Sequence, residues 1–204
     1  MTEPTILRRL VAISDGLTAA GLSHAFGGAI ALAFHVQEPR ATSDIDVNIS
    51  TDDPETAFRA MPSAVGWDLG DLERCRRDGQ VRLFWVEEPF RTPVDVFLPQ
   101  SDLHVELDRQ AQLVDVLGRQ VRILTATHLT VFKALFDRTK DWADIEAMLA
   151  NGQVDVRRVR EWLGRLVGED DDRLARLTTA EHTAAAAGSA PVFRDLLRRT
   201  DPPS

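Results

Sequence analysis

The chain has 204 residues, of which 44% are hydrophobic, so it suits one medium domain or a core domain with a helical annex. Its 24 basic and 32 acidic residues give a formal net charge of −8, which argues against indiscriminate nucleic-acid binding but leaves room for a local basic groove. No apolar run reaches the roughly 18 residues of a membrane span, the start of the chain lacks the apolar segment of a signal peptide, and a single cysteine excludes an internal disulfide. We therefore expect a cytoplasmic protein that makes no membrane contact.

The first half of the chain combines helices with strands. Apolar spacing and turn residues predict, in chain order, a helix over 6–20, a strand over 23–26, a helix from 29 to about 36, a strand over 45–49, a helix opening at 53–55, strands over 81–86 and 93–98, and a hairpin of 113–117 with 121–124. From residue 125 the pattern predicts helices alone, over 125–136, 142–149, 156–167, 184–187 and 191–199. We predict an α+β fold, with an α/β core and a small mixed sheet over residues 1–124 and a C-terminal helical bundle over 125–204.

Asp44 and Asp46 alternate with apolar residues on a predicted strand. Residues i and i+2 of a strand point to the same face, so the two carboxylates lie side by side. Neighbouring carboxylates repel each other unless a cation lies between them, and Mg²⁺ suits them because it prefers oxygen ligands and leaves room for phosphates. The pair alone also fits a solvated strand face, so the metal prediction depends on its surroundings.

Gly27 and Gly28 separate a predicted strand from a predicted helix. Glycines let backbone N–H groups approach a phosphate closely, and the N-terminus of the following helix favours an anion. We therefore predict that this turn binds the triphosphate of a nucleoside triphosphate (NTP) beside the carboxylate pair.

Asp95 is the one acid in an otherwise apolar predicted strand, 93–98. A carboxylate in such a strand is unusual, and a role as the third metal ligand accounts for it. Two Mg²⁺ ions bridged by Asp44, Asp46 and Asp95 would activate an acceptor hydroxyl and stabilise a departing pyrophosphate. The order of these features along the chain is far more specific than any one of them.

The segments AFGG (25–28) and RATSDIDV (40–47) resemble the signature of the polymerase-β-type nucleotidyltransferase superfamily. Within it, the chain is most similar to the AbiEii/MenT-type nucleotidyltransferase toxins of bacterial toxin–antitoxin systems, over about residues 20–150. The resemblance implies that Asp44, Asp46 and Asp95 are catalytic and bind the metals. Gly28 stands where many members have serine, which removes a hydroxyl contact to phosphate.

Residues 132–145 carry the second feature, a lysine followed by an Arg-x-Lys-Asp stretch. If one helix continues through them, Lys133, Asp137, Lys140 and Asp144 share a polar face, which also fits a solvated face with i,i+4 ion pairs. The resemblance instead implies a catalytic, phosphate-binding role for Lys133. It adds Lys140 and Asp141 to the nucleotide site, where Asp141 would orient the lysine or contact the base or sugar.

Arg40 precedes the acid pair by a few residues, and it could bind a phosphate or bridge a nearby acid. Arginines also cluster at 74–82 and 157–165, where a solvated face is the simpler interpretation.

The resemblance implies a Mg²⁺-dependent toxin that transfers a nucleoside monophosphate from NTP to the 3′ acceptor end of tRNA and so blocks translation, with a cognate antitoxin as its partner. Two alternatives stay open. The acceptor could be a protein or a small molecule such as an aminoglycoside, or the chain could be an antitoxin built on a nucleotidyltransferase fold. Three intact acids argue against the second alternative, because loss of catalysis would relax the need for paired charges.

Overall fold

The computed structural model describes residues 5–38 and 41–188. Arg40 and the helix expected over 191–199 lie outside these residues. The chain divides into two compact units: unit 1 comprises the chain up to Phe34 and Glu38–Thr125, and unit 2 comprises His35–Gln37 and the chain from Ala126 onward. The α+β fold class predicted from the sequence is confirmed, with helices and a mixed sheet in unit 1 and helices in unit 2.

Unit 1 contains twelve of the helices and strands found within the described residues. They are α1 (Thr5–Ala19), β1 (His24–Phe26), α2 (Gly28–Leu32), β2 (Ile45–Ile49), α3 (Pro54–Ala60), β3 (Val65–Gly66), α4 (Leu69–Asp78), β4 (Gln80–Glu87), β5 (Phe90–Phe97), α5 (Asp102–Gln110), β6 (Gln112–Val116) and β7 (Arg119–Ile123). Helix α3 begins as its sequence predicts, with Asp53 as a cap that accepts a hydrogen bond from the backbone N–H of Glu55 and with Pro54 at the first position.

The strands of unit 1 form one seven-stranded mixed sheet in the order β3-β4-β5-β2-β1-β7-β6. Strands β2 and β5 are parallel neighbours at its centre, and β4 and β5 form an antiparallel hairpin. One face of this centre is fully buried: Ile45 and Val47 of β2 and Val94 and Val96 of β5 are all 0% exposed. The alternate residues of these strands therefore lie on the opposite face, where polar side chains remain within reach of solvent.

Helix α2 is shorter than the sequence predicted. It covers five residues, Gly28–Leu32, instead of extending to about residue 36. His35–Gln37 belongs to unit 2, where the side chain of Asn151 donates to the carbonyl oxygen of His35 over 2.7 Å. After Leu32 the chain forms a turn over residues 33–35 instead of continuing the helix.

Unit 2 contains four helices within the described residues, namely α6 (Ala126–Phe136), α7 (Thr139–Ala150), α8 (Val156–Val167) and α9 (Asp172–Gly188). Each contributes apolar side chains that are nearly inaccessible to solvent: Val131, Ile145, Met148, Val159, Leu163 and Leu177. Over the described part of the chain, no helix has the length and apolar character that crossing a membrane requires.

The continuous helix considered for residues 132–145 is wrong. Helix α6 ends at Phe136, and Asp137 takes a left-handed conformation with φ of +56°, which aspartate tolerates better than most residues. Its carboxylate accepts hydrogen bonds from Trp142 Nε1 over 2.7 Å and from Arg176 on α9. These tertiary contacts stabilise the break, so the i,i+4 ion pairs of an uninterrupted polar face do not form.

Candidate active site

Asp46 and Asp95 lie side by side at the centre of the sheet. They are paired in register on the parallel strands β2 and β5, and the residues on either side of each are buried in the opposite face. Asp44 comes directly before β2, two residues ahead of Asp46, and accepts a hydrogen bond from Ser43 Oγ over 2.8 Å. We call Asp44, Asp46 and Asp95 the carboxylate row. The structure therefore brings together the three acids that the sequence proposed as one site.

Gly28 packs directly against this row. Its φ is +56°, a left-handed value that favours glycine, and a Cβ added to it would overlap the Asp46 carboxylate. Gly27 donates its backbone N–H to the carbonyl oxygen of Asp46 over 2.9 Å, so this N–H is already engaged. The Gly27–Gly28 turn thus fixes the position of Asp46 through both its hydrogen bond and the space that it leaves.

Arg82 on β4 is a member of the site that the sequence did not reveal. It pairs in register with Asp95, and its Nε and Nη2 donate to the two oxygens of Asp95 over 2.7 and 2.6 Å. The same Nη2 lies 3.8 Å from Asp44 Oδ2. The pKa of the Arg82 guanidinium is raised, first by the hydrogen bonds to Asp95 and then by the charges of Asp95, Asp44 and Asp46. All three acids of the carboxylate row therefore act on one cation.

The Arg82–Asp95 pair is open to solvent on the arginine side. The Arg82 side chain is 53% exposed and that of Asp95 is 18% exposed. Exposed ion pairs contribute only about 0.2–1 kcal/mol, although a two-pronged arginine–carboxylate geometry is the strongest form of such a pair. Arg82 is therefore well oriented toward Asp95, although the ion pair that holds it there contributes little free energy.

The chemistry of the carboxylate row suits a hard divalent cation. Its donors are carboxylate oxygens, which Mg²⁺ prefers, and Arg82 shows that they converge on positive charge. Asn48, two residues beyond Asp46 on the same face of β2, is 6% exposed, and its amide oxygen has no hydrogen-bond partner among the described residues. Such an orphaned acceptor beside the Gly27 turn is a further oxygen that a hydrated cation or a ligand N–H would satisfy.

Arg82 also bears on the metal geometry. Within residues 5–38 and 41–188, no three histidine, cysteine, aspartate or glutamate side chains are grouped so that they could hold a metal ion as they stand. Asp95 is directed to the guanidinium instead. The residues fit a cation in donor type but are not arranged to hold one as they stand, and Arg82 would have to release Asp95 for all three acids to share one.

Lys133 and Asp141, which the sequence proposed for the nucleotide site, belong to an ion cluster in unit 2. Lys133 of α6 is 4% exposed, and its Nζ lies 2.6 Å from Asp144 Oδ2 and 3.6 Å from Asp141 Oδ1, both on α7. Arg138 Nε donates to Asp141 Oδ2 over 2.5 Å. We call Lys133, Arg138, Asp141 and Asp144 the helical ion cluster. Its two positive and two negative charges balance, and Arg138 is 55% exposed whereas the other three are buried.

The other predicted nucleotide-binding residues divide between described and undescribed parts of the chain. Lys140, in the first turn of α7, is exposed, and Asp144 pairs with Lys133 rather than with Lys140. Arg40 is not among the described residues. Lys133 and Asp141 do contact each other, as a role for Asp141 in orienting the lysine requires.

A sequence signal for Arg82 does exist in the β4–β5 hairpin. Residues pair symmetrically about the turn at residues 88–89, so that Gln80 meets Phe97 and Arg82 meets Asp95. The two strands were predicted, but the register was not, and Arg82 was grouped with the arginines that the structure places on α4. Pairing the two strands about the bond between residues 88 and 89 aligns Arg82 with Asp95.

Comparison with known proteins supports the fold. No family model and no curated protein sequence matches the chain. Among solved structures, ANT(2″)-Ia in complex with adenylyl-2″-tobramycin is 12% identical over 90% of this chain and 99% of its own, with a TM-score of 0.50. An antigenic nucleotidyltransferase-like protein from Paracoccidioides brasiliensis is 15% identical over 85% of this chain and 93% of its own, with a TM-score of 0.49. JHP933 from Helicobacter pylori is 14% identical over 98% and 97%, with a TM-score of 0.45.

At these identities the likeness establishes the fold alone. The chain has the fold of nucleotidyltransferase-like proteins. The carboxylate row lies on the exposed side of that fold's central strands, which is the observation that the functional proposal builds on.

Proposed function

We propose that this protein is a Mg²⁺-dependent nucleotidyltransferase that transfers a nucleoside monophosphate from NTP to a hydroxyl acceptor. One observation carries the proposal: Asp46 and Asp95 lie in register on adjacent parallel strands, with Asp44 directly before the first strand and Gly28 packed against Asp46. Rigid strands hold these side chains, as a transfer centre requires. The nucleotidyltransferase fold supports the same reaction class.

The reaction forms a bond between the acceptor oxygen and the α-phosphorus, and breaks the bond from that phosphorus to the bridging oxygen, so that pyrophosphate leaves. Asp44, Asp46 and Asp95 would hold Mg²⁺, which supplies positive charge for the triphosphate. Asp95 takes up the proton of the acceptor hydroxyl. Gly28, having no Cβ, leaves the space that the Asp46 carboxylate occupies, while Gly27 keeps that strand end in place through its backbone hydrogen bond.

Lys133, Lys140 and Asp141 are proposed as nucleotide-binding residues by their resemblance to the toxin pattern, and Arg40 by its place ahead of the acid pair. In unit 2, Lys133 already neutralises Asp144 and contacts Asp141. A phosphate contact from Lys133 therefore requires its pair with Asp144 to open. Lys140 is exposed and needs no such rearrangement.

For the acceptor, we propose the 3′ end of tRNA, with translation blocked as the outcome. The support is the resemblance of segments 25–28 and 40–47, with the Lys-to-Asp stretch 133–141, to the AbiEii/MenT-type toxins. The same resemblance leads us to propose a cognate antitoxin as partner and a cytoplasmic setting. Residues 1–124 would form the nucleotidyltransferase core and 125–204 a helical domain that contributes Lys133 and Asp141.

A cationic small molecule is the second candidate acceptor. ANT(2″)-Ia, whose fold this chain shares, was solved with adenylyl-2″-tobramycin. The net charge of −8 favours a cationic acceptor over a polyanion such as tRNA.

The test is transfer of label from each of the four NTPs, in Mg²⁺, to total tRNA, to an aminoglycoside mixture or to cell protein. We expect label in tRNA, and we expect Asp46→Asn to reduce it by at least about 10³-fold, as losses of a main electrostatic contributor do. Arg77→Gln, a change at an exposed ion pair on α4, is the matched control and keeps full activity. Label in the aminoglycosides alone would replace the acceptor. Full activity of Asp46→Asn would refute the site, and no transfer with no NTP binding would favour the antitoxin alternative.

A further inference from the structure

Arg82 holds a place in the carboxylate row that a metal cofactor also needs. Both oxygens of Asp95 accept hydrogen bonds from its guanidinium, and Asp44 Oδ2 lies 3.8 Å from the same nitrogen that binds Asp95. A single positive charge thus balances part of a group of three negative charges. Without it, the three carboxylates would repel one another across the strands.

We propose that Arg82 is a positioning residue: an internal counter-cation that holds the carboxylate row together when no metal is bound, and that an incoming divalent cation displaces from Asp95. This inference rests on the proposed function, because it takes the carboxylate row to be the metal site. It adds a residue and a conformational step that the three acids alone do not imply.

The backbone around Arg82 is fixed, so that the step involves its side chain alone. Val81 and Leu83 on either side are 5% and 1% exposed, and they anchor β4 to the core. The Arg82 side chain extends from this anchored strand on the solvent side, where it is 53% exposed. Its departure uncovers the Asp95 carboxylate, whose side chain is 18% exposed, and water can take over its hydrogen bonds.

A divalent cation and a guanidinium compete for the same oxygens. Magnesium carries twice the charge of Arg82 and binds carboxylate oxygens at shorter distances than a guanidinium does, and the two cations repel each other when they share Asp95. Because the exposed pair is screened by water and salt, millimolar divalent cation is enough to shift the balance. The affinity for metal is then lower than that of the bare acids, by the free energy of the pair that must be broken.

The first experiment follows the arginine itself. Arginine Nε–H signals are recorded by ¹H–¹⁵N NMR on the full chain, with Arg82→Gln used to assign the signal of Arg82. We expect that signal to be protected in metal-free buffer, and to lose its protection and move to the position of a free arginine as MgCl₂ is added. A signal that stays protected while Mg²⁺ saturates the protein overturns the displacement.

The second experiment measures metal affinity without any reaction. Mn²⁺ is titrated into wild type, Arg82→Gln and Arg77→Gln, and free Mn²⁺ is followed by its electron paramagnetic resonance signal. We expect Arg82→Gln to bind about two- to fivefold more tightly than wild type, because the pair that the metal must break is gone. Arg77→Gln loses one positive charge at an exposed pair with Asp78 on α4 and is expected to bind like wild type.

The outcomes separate the two proposals. If Mn²⁺ binds wild type and Arg82→Gln equally well, and Asp46→Asn abolishes that binding, the metal site stands and the displacement is wrong. If neither wild type nor Arg82→Gln binds Mn²⁺ and no NTP label is transferred, the proposed function fails and the displacement fails with it. Should Arg82→Gln not fold, Arg82→Lys removes the same Nε–H signal and serves for the assignment, and the NMR titration of the wild-type chain then decides the matter.

Discussion

Gly28 is the residue on which the placement of Asp46 depends most directly. Its left-handed backbone and the lack of a Cβ allow the Asp46 carboxylate to occupy space that any other side chain would fill. The sequence indicated Gly27 and Gly28 as a phosphate-binding turn. The structure adds a second physical reason for a glycine at position 28, which is contact with the Asp46 carboxylate rather than with a phosphate.

We expect Gly28→Ala to lower the free energy of unfolding by more than the cost of placing an alanine in a left-handed conformation. Gly21→Ala is the matched control, since Gly21 has φ of +71° and open space where a Cβ would be. The control should lose about 1–2 kcal/mol of unfolding free energy, the usual cost of that conformation. Gly28→Ala should lose more and also displace Asp46, so that NTP transfer falls while Gly21→Ala keeps it.

Urea unfolding and label transfer measure the two effects on the same pair of variants. Equal stability and equal activity of Gly28→Ala and Gly21→Ala would contradict the contact with Asp46.

At the scale of elements, the α6–α7 break decides what Lys133 can do. An uninterrupted helix would have displayed Lys133 on a polar surface, whereas the turn at Asp137 folds α7 back so that Lys133 meets Asp144 in the interior. Loss of activity on mutation of Lys133 therefore has two possible causes, a lost phosphate contact and a weakened unit 2. Stability has to be measured beside activity.

We expect Lys133→Met to lower the unfolding free energy by about 3–5 kcal/mol, the usual cost of leaving a buried partner unpaired. Here the group that loses its lysine partner is Asp144, which is 7% exposed. The double variant Lys133→Met with Asp144→Leu should recover most of that loss, because apolar replacement of a whole buried pair is often neutral. Lys140→Met, at an exposed position on α7, should change stability by no more than about 0.5 kcal/mol.

Denaturant unfolding of the four proteins gives these values directly. If the double variant is as unstable as Lys133→Met, the cluster is not held by the Lys133–Asp144 pair.

The elements that the sequence predicted are those whose apolar residues recur at a regular period. Helix α1 and strand β2 are examples, whereas α3 was predicted from its cap at Asp53 and Pro54. The acids at 44, 46 and 95 were found because they interrupt apolar strands. Helices α4 and α5 were not predicted, since each buries only two apolar side chains in a charged sequence. The break at Asp137 depends on Trp142 and on Arg176, which is 39 residues away, and no local pattern contains such a partner. Arg82 was missed for the same reason, because its partner is set by strand register.

For the whole molecule, charge limits how a polyanion can bind. With 32 acidic and 24 basic residues, attraction to RNA has to be local. Three of the four arginines of α8 are already paired, Arg157 and Arg158 with Glu161 and Arg160 with Glu181, and the fourth, Arg165, lies over the ring of Trp162. These pairs neutralise much of the positive charge of α8, so the helix does not present the extended basic surface that its sequence suggests.

If tRNA is the acceptor, we expect the protein to contact only its unpaired 3′ end. The logarithm of kcat/KM for tRNA, plotted against the logarithm of salt concentration at saturating NTP, should then have a slope between about −0.7 and −2, which corresponds to one to three neutralised phosphates. The KM for NTP in the same buffers is the control, because it reports salt effects on the triphosphate site. A slope of about −5 or steeper would contradict a local contact and require an extended basic groove.

The register of the β4–β5 hairpin depends on the surface turn that joins the strands, so this turn affects the charge of the candidate site. Strand β5 is held in place by β2, so a residue inserted at the turn around Pro89 must either bulge outward or make β4 slip by one position. A slip turns Arg82 to the buried face and brings Val81 or Leu83 opposite Asp95. The length of this turn, which evolution and mutagenesis can both change, would then determine whether Arg82 stays beside the three acids.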